Sequence, residues 1–330
     1  MSAVPILDVP GTTPAGEEVF LYASGATRLS NGVIVVADPG GPAVRYFDPS
    51  GRLLRSVGRR GEGPGEFSVP GWLGQCGADS VFVWDYMQQR MTVLDSAGRI
   101  AREYRVLRDP AFFYCSRDGL FAIHLSPREP VSPNEKVPHQ TAPLWLADAR
   151  GNYTRLLGEL PIGENRPLGK STRIAVGRDQ LYVGTADSAF VEVYTLDGKH
   201  AGALPVGVAP RRPTERDYER AIDAQVAMLG DRETREIARR YLQAIPMPPY
   251  LPPYTNLLAD PGGTLWVVTS APGDPVTELR AIGLDGRTLE VLRLPVELTV
   301  FEVGHDHLLG MYEDEAGEPH LALYRLQRAQ

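Results

Sequence analysis

Lysine and cysteine are both scarce in this chain: three lysines (Lys136, Lys170, Lys199) and two cysteines (Cys76, Cys115) among 330 residues. Two cysteines are too few to staple a chain of this length, so a disulfide-built scaffold is excluded. Each lies just before a turn, ahead of the β-runs that begin at Val81 and Leu120, in matching positions of neighbouring repeat units. Two small buried thiols are the expected state, with a disulfide between them as the alternative. The shortage of lysine leaves arginine to carry nearly all of the 34 basic residues, against 41 acids and a net charge of −7. Nucleic-acid binding by phosphate neutralisation needs a basic face, so no nucleic-acid partner is expected. The arginine bias reads either as planar recognition of carboxylate or phosphate or as codon usage, and codon usage is the simpler account.

Long apolar runs are missing too. None approaches the roughly 18 residues of a membrane span, and residues 1–16 lack a charged stretch followed by an apolar one. Read as written, the chain is cytoplasmic; it is periplasmic or extracellular if a native leader has been removed. The common catalytic signatures are also missing: there is no Gly-x-Ser-x-Gly, Cys-x-x-Cys, His-Glu-x-x-His or EF-hand loop. The glycine-rich stretch 58–65 lacks the Gly-Lys-Ser/Thr of a phosphate loop, and Gly169-Lys170-Ser171 has Glu164 where the first glycine belongs.

What the chain has in quantity is turn-formers, 34 glycines and 29 prolines, below the level of a disordered sequence. Their placement is periodic. A β-run ending in an Asp…Gly turn recurs at Asp48–Gly51, Asp95–Gly98, Asp148–Gly151, Asp197–Gly198 and Asp285–Gly286. A second β-run precedes each turn (33–37, 81–84, 120–123, 181–184, 265–268), and a third follows it. With a short run at the start of each unit, this makes four strands per roughly 45–50 residues, the size of one propeller blade. A sixth unit, 298–326, has three strands, and residues 4–9 supply its missing outer strand, which removes an exposed edge. The expected fold is all-β: a single six-bladed β-propeller over 1–330, with its N-terminal strand closing the last blade.

Residues 213–245 interrupt the pattern as a helical hairpin between blades 4 and 5. Thr214 and Asp217 form a capping-box-like start, and Tyr218, Ile222, Val226 and Leu229 fall on one helical face. Gly230 suits the stop. A second helix from Asp231 carries Ile237, Ala238, Tyr241, Leu242 and Ile245 on its apolar side. The hairpin is either a lid over a ligand or an amphipathic element packed on the rim. A proline-rich segment follows, delivering Tyr250 and Tyr254 towards the channel mouth.

The segment Val57-Gly-Arg-Arg-Gly-Glu-Gly-Pro-Gly-Glu-Phe67 resembles the inter-blade signature of bacterial NHL-repeat-like six-bladed β-propellers, as do the register of residues 35–58 and the segment from Leu251 to Val267. The resemblance implies that the insert crosses the face where such propellers bind ligands, and says little of activity. Aligned on the second strand, the blades offer one equivalent position each: Asp38, Asp85, His124, Thr185, Thr269 and Tyr312. Asp38, Asp85 and His124 are candidate ligands for a divalent cation such as Ca²⁺ or Zn²⁺ in the channel, or candidate general acids and bases. For the aspartates the alternative is a structural Asp–Arg bond, to Arg45 and Arg90. His139, Tyr250, Tyr254, Arg211, Arg212, Tyr218, Thr185 and Thr269 are candidate ligand-binding residues. His305-Asp306-His307 reads as a polar turn tip on the opposite face. The expected function is binding of a small molecule, glycan or protein at the insert-covered face and channel; the alternative is a metal-assisted, lactonase-like hydrolase or a lyase.

Overall fold

The computed structural model describes residues 4–13, 16, 18–77, 79–108, 110–115, 121–125, 140–164, 166–227 and 231–326. The N-terminal strand is β1 (Leu7–Pro10). The first blade is β2 (Gly25–Arg28), β3 (Ile34–Asp38), β4 (Ala43–Phe47) and β5 (Leu53–Val57); the second is β6 (Pro70–Gln75), β7 (Val81–Asp85), β8 (Arg90–Leu94) and β9 (Ile100–Arg105). The third is β10 (Pro110–Cys115), β11 (Phe121–Leu125), β12 (Gln140–Ala147) and β13 (Tyr153–Gly163); the fourth is β14 (Arg173–Val176), β15 (Gln180–Gly184), β16 (Phe190–Thr195) and β17 (His200–Pro205). After α1 (Glu215–Ala227) and α2 (Arg232–Gln243) come the fifth blade, β18 (Asn256–Ala259), β19 (Leu265–Val268), β20 (Thr277–Ile282) and β21 (Thr288–Leu294), and the sixth, β22 (Thr299–Val303), β23 (His307–Glu313) and β24 (Pro319–Arg325). Every sheet is four-stranded, and β1 is the outer strand of the sixth. The inner strands β2, β6, β10, β14, β18 and β22 touch in that order, and β22 returns to β2. The chain is a six-bladed β-propeller.

The pattern follows from what each strand touches. Second strands are covered on both sides by neighbouring blades, so β3 and β7 are apolar without alternation up to a terminal aspartate, and buried throughout. Outer strands face solvent, and all but the last residue of β5 is exposed. In the first five blades the third strand leads into the repeated aspartate turn. Asp48 Oδ1 accepts the N–H groups of Ser50 (2.9 Å) and Arg52 (3.1 Å), and Gly51 takes φ +86°, which only glycine adopts without strain. Asp95 does the same for Ala97 and Arg99, and Asp148 for Arg150 and Asn152.

Asp217 Oδ2 accepts from the Thr214 N–H (2.8 Å), and Thr214 Oγ1 accepts from the Asp217 N–H (3.2 Å), closing the capping box of α1. Asp231 caps α2 through the Thr234 N–H (2.9 Å). Leu229 and Gly230, expected to end the first helix, lie outside the described residues. The apolar side expected of α2 splits. Ala238 and Leu242 pack against the cluster around Ile222, whereas Ile237 and Tyr241 are 55% and 60% exposed. The stripe is wider than the ground α1 offers, so its far edge meets solvent.

The cysteines correct the expectation of two free thiols: Cys76 and Cys115 are joined as a disulfide. Matching positions at the ends of adjacent inner strands bring their Cα atoms to 5.6 Å, inside the range a disulfide spans. Free-thiol titration of the unfolded, unreduced protein is expected to find none. The Cys76→Ser/Cys115→Ser protein should lose about 2–4 kcal/mol of stability in denaturant melts.

The turn aspartates carry a pH signature. The Ser50 hydroxyl, with the turn N–H groups, brings the Asp48 carboxyl from 3.8 down to about 2. The Thr195 hydroxyl and Lys199 do the same for Asp197, also to about 2. A depressed carboxyl stabilises the fold fully above its unfolded value and loses that contribution as pH falls through the folded one. Melting temperature is expected to fall between about pH 4 and pH 2, and less steeply in an Asp48→Asn/Asp197→Asn protein.

Candidate functional site

Two cavities occupy the two ends of the ring. The first, of about 410 Å³, lies between the fourth and fifth blades on the face crossed by the insert. The turn after β15, the chain leaving β17 and the proline-rich segment entering β18 converge there because all three are connections on the same face. Ala186, Val208, Pro210, Leu251, Pro252 and Ala271 are among its apolar wall residues. Helix α1 seats Tyr218, Ile222 and Val226 on Leu168, Leu251 and Ala271, two of which line the cavity.

Its polar groups are paired. Lys170 Nζ meets Asp187 Oδ1 at 3.1 Å, and Arg211 meets Asp274 at 3.5 Å. Glu278 accepts from Thr269 Oγ1 (2.9 Å), Arg280 Nε (3.0 Å) and Arg293 Nε (2.8 Å). Burial pushes the Glu278 carboxyl up, but the bonds from Arg293, Thr269 and Arg280 together hold it below the usual range. Its charge is therefore fixed, and it is a poor proton carrier near neutral pH.

The sequence candidates divide by location. Arg211, Tyr250 and Thr269 line this cavity, and Thr185 adjoins its wall at Ala186. Arg212 stacks over the half-exposed Tyr250 ring at 5.4 Å. Tyr254 is buried against Gly184; its hydroxyl accepts from the Ala186 N–H (2.9 Å) and donates to the Phe190 carbonyl (3.1 Å). Tyr218 is buried in the helix contact and donates to the Ile245 carbonyl at 2.8 Å.

Asp38 and Asp85 end their second strands fully buried. Asp38 accepts from the N–H groups of Leu21, Tyr22, Gly40 and Gly41 and meets Arg45 at 2.8 Å. Asp85 accepts from the N–H groups of Ser68, Val69, Met87 and Gln88. Arg90 reaches the carbonyls of Gly63 and Glu66 and lies 3.5 Å from Glu103. Each aspartate thus ties its own hairpin to the segment entering its blade, and a cation there would displace backbone donors. His124 pairs through its backbone with Leu144 in the β11–β12 ladder, and His139 lies outside the described residues. Tyr312 donates to Asp8 Oδ2 (2.7 Å) and stacks on His320 at 4.9 Å, towards the outer strand of its blade. Among the described residues, Asp314, Glu318 and His320 bring ligand atoms within 4.8 Å of one another, on the hairpin after β23. In the stretch 58–65, Glu66 accepts from the Gly63 N–H (3.0 Å), filling the place an anion would take.

The second cavity, about 370 Å³, is the central channel, lined by all six inner strands and two of the turns that follow them. Its charged lining is Glu302, Asp260 and Arg178. Sequence reasoning passed over Glu302 and took His307 only as part of a turn tip, yet the two are bonded to each other at 2.9 Å. The available signal was Glu302 itself, an acid inside the otherwise apolar run 300–303.

No family model and no curated protein matches the sequence. Solved structures do. The chain is similar to a member of the DUF4221 family from Bacteroides vulgatus, at 12% identity and TM-score 0.55, over 98% of this chain and 97% of that one. It is similar to a gluconolactonase of Xanthomonas campestris at 13% identity and TM-score 0.50, over 93% and 88%. At this identity the likeness is one of fold: the neighbours of this chain are six-bladed β-propellers.

Proposed function

We propose that this protein is a binding propeller of the NHL-like kind, which takes a small molecule in the cleft between its fourth and fifth blades beside the 213–245 hairpin. The observation that carries the reading is the cleft: about 410 Å³, with mostly apolar walls and a few polar groups around them. That is the usual make-up of a small-molecule site. The pairing of Lys170, Arg211 and Glu278 favours recognition over proton transfer, since each charge already has a partner. In this reading the hairpin supports the cleft from behind, with α1 seated on the wall residues Leu251 and Ala271, and Tyr250, stacked on Arg212, is its edge. Asp38 and Asp85 hold hairpins. The disulfide favours an oxidising compartment, the periplasm or the cell exterior. No helix among the described residues is long and apolar enough to cross a membrane.

A thermal-shift screen of sugars, lactones and aromatic acids tests the reading. A ligand held in the cleft raises the melting temperature by mass action. Ser188→Trp places an indole in the cleft from an exposed turn position and is expected to abolish that shift while leaving the apo melting temperature unchanged. A shift that survives Ser188→Trp puts the site elsewhere. Lactone turnover that depends on added Ca²⁺, Mn²⁺ or Zn²⁺ would replace binding with hydrolysis as the function. Deleting 213–245 checks that support: ligand affinity is expected to fall about tenfold or more.

A further inference from the structure

The hairpin at which the ring closes carries a chemistry that neither cavity uses. Asp314 and Glu318, in the turn between β23 and β24, and His320, in β24, bring one ligand atom each within 4.8 Å of one another. The set is mixed, two carboxylates and an imidazole, and each member keeps an atom that the fold does not occupy. Asp314 Oδ1 accepts the N–H groups of Ala316 (2.9 Å) and Glu318 (2.8 Å), which leaves Oδ2 to face the imidazole. Glu318 uses only Oε1, for the Thr12 N–H at 2.7 Å. Among the described residues, no arginine or lysine pairs with either acid, and the basic group that Asp314 meets is His320.

His320 is oriented from two sides. Its ring stacks on Tyr312, with centroids 4.9 Å apart, and its side chain is 16% exposed. Nδ1 lies 2.8 Å from Asp8 Oδ1, and Asp8 Oδ2 accepts the Tyr312 hydroxyl at 2.7 Å. An ionised carboxylate only accepts, so Nδ1 carries the hydrogen, and in the neutral ring Nε2 presents an electron pair. A carboxylate placed this way orients the histidine ligands of metals and makes them more basic. Nε2 is buried and makes no hydrogen bond. Asp314 Oδ2 stands 3.7 Å from it, too far for a hydrogen bond. Two ligand atoms on one tetrahedral zinc, each about 2.1 Å from the ion, are about 3.4 Å apart. The gap is therefore nearer to that of two atoms sharing an ion than of two atoms sharing a proton.

We propose that Asp314, Glu318 and His320 bind a divalent transition metal of the zinc class, with water completing its coordination, and that the ion clasps the two ends of the chain. Imidazole selects such an ion over Ca²⁺ and Mg²⁺, which prefer oxygen ligands alone. Both cysteines are in the disulfide, so no thiolate competes for the metal. The clasp follows from what holds the ligands. Asp8 of β1 orients His320, and Thr12, two residues beyond β1, holds Glu318. An ion that fixes these ligands also fixes the two contacts, and with them the pairing of β1 with β24. The site shares no residue with the cleft or the channel, so its test is independent of both.

The probe is Zn²⁺ alone, titrated calorimetrically into the full chain after a chelator has been applied and removed. One equivalent is expected to bind, about tenfold or more tightly than Ca²⁺ or Mg²⁺. Asp314→Asn and Glu318→Gln keep an oxygen for the turn and Thr12 N–H groups, and each should weaken Zn²⁺ about tenfold or more. His200→Gln removes the exposed pair of His200 with Glu192 and should leave the affinity unchanged. Hydrogen exchange reads the clasp. The Ile6 and Gly11 amides donate to the Leu323 and Pro319 carbonyls at 2.7 and 2.8 Å, and Zn²⁺ should slow their exchange about tenfold while leaving the fourth blade unchanged. Zn²⁺ bound no more tightly than Ca²⁺, an affinity that both carboxylate variants leave intact, or exchange at Ile6 and Gly11 that Zn²⁺ does not slow overturns the proposal. The choice of ion and the exchange measurement need no variant, so they decide the matter even where a variant fails to fold.

Discussion

Everything else in this structure depends on one pairing, that of β1 with β24. Leu7 lies opposite Leu323 and Pro10 opposite His320, so the first strand of the chain completes the sheet that the last strands begin. Without it the sixth blade would present β24 as an open edge, with unpaired backbone groups and an uncovered apolar face. Asp8 reinforces the junction by accepting from Tyr312 (2.7 Å) and bonding His320 (2.8 Å). These contacts span more than 300 residues, so their loop-closure entropy is recovered only once the blades between them have formed. The channel depends on the same closure, since β22 and β2, which both line it, are neighbours only in the closed ring.

The architecture was legible because each blade repeats the same local demands. An aspartate followed by a glycine at positive φ marks the turn, and an unbroken apolar run marks the strand buried on both sides. Even the disulfide had its signal, in the equivalent positions of Cys76 and Cys115. What the sequence concealed was the difference between covalent and merely adjacent, which depends on a Cα separation.

The sites were less legible, for a geometric reason. The channel takes one or a few residues from each of six inner strands, and these lie roughly one blade length apart in sequence, so no local spacing announces them. Aligning the blades singles out the ends of the second strands, where Asp38 and Asp85 are chemically conspicuous, but burial and four backbone donors apiece explain their identity fully. Tyr250 and Tyr254 illustrate the limit at closer range. They are four residues apart in one proline-rich segment, yet one stands at the cleft edge and the other is locked against Gly184. A glycine in β15 decides which, since any Cβ at Gly184 would collide with the Tyr254 hydroxyl.

The two cavities also differ in how they are stiffened, and the difference bears on what each can do. The cleft is bounded by turns, a proline-rich segment and a helical hairpin whose outer helix buries no residue, the kind of boundary that opens locally at low cost. The channel is bounded by inner strands locked in sheets, and the Cys76–Cys115 disulfide ties together β6 and β10, the two strands that carry Trp72 and Phe113. A wall held this way loses little entropy when a ligand arrives. It also cannot adapt to a ligand of the wrong shape. A ligand in the channel would therefore be selected by fixed shape, and one in the cleft by adaptation.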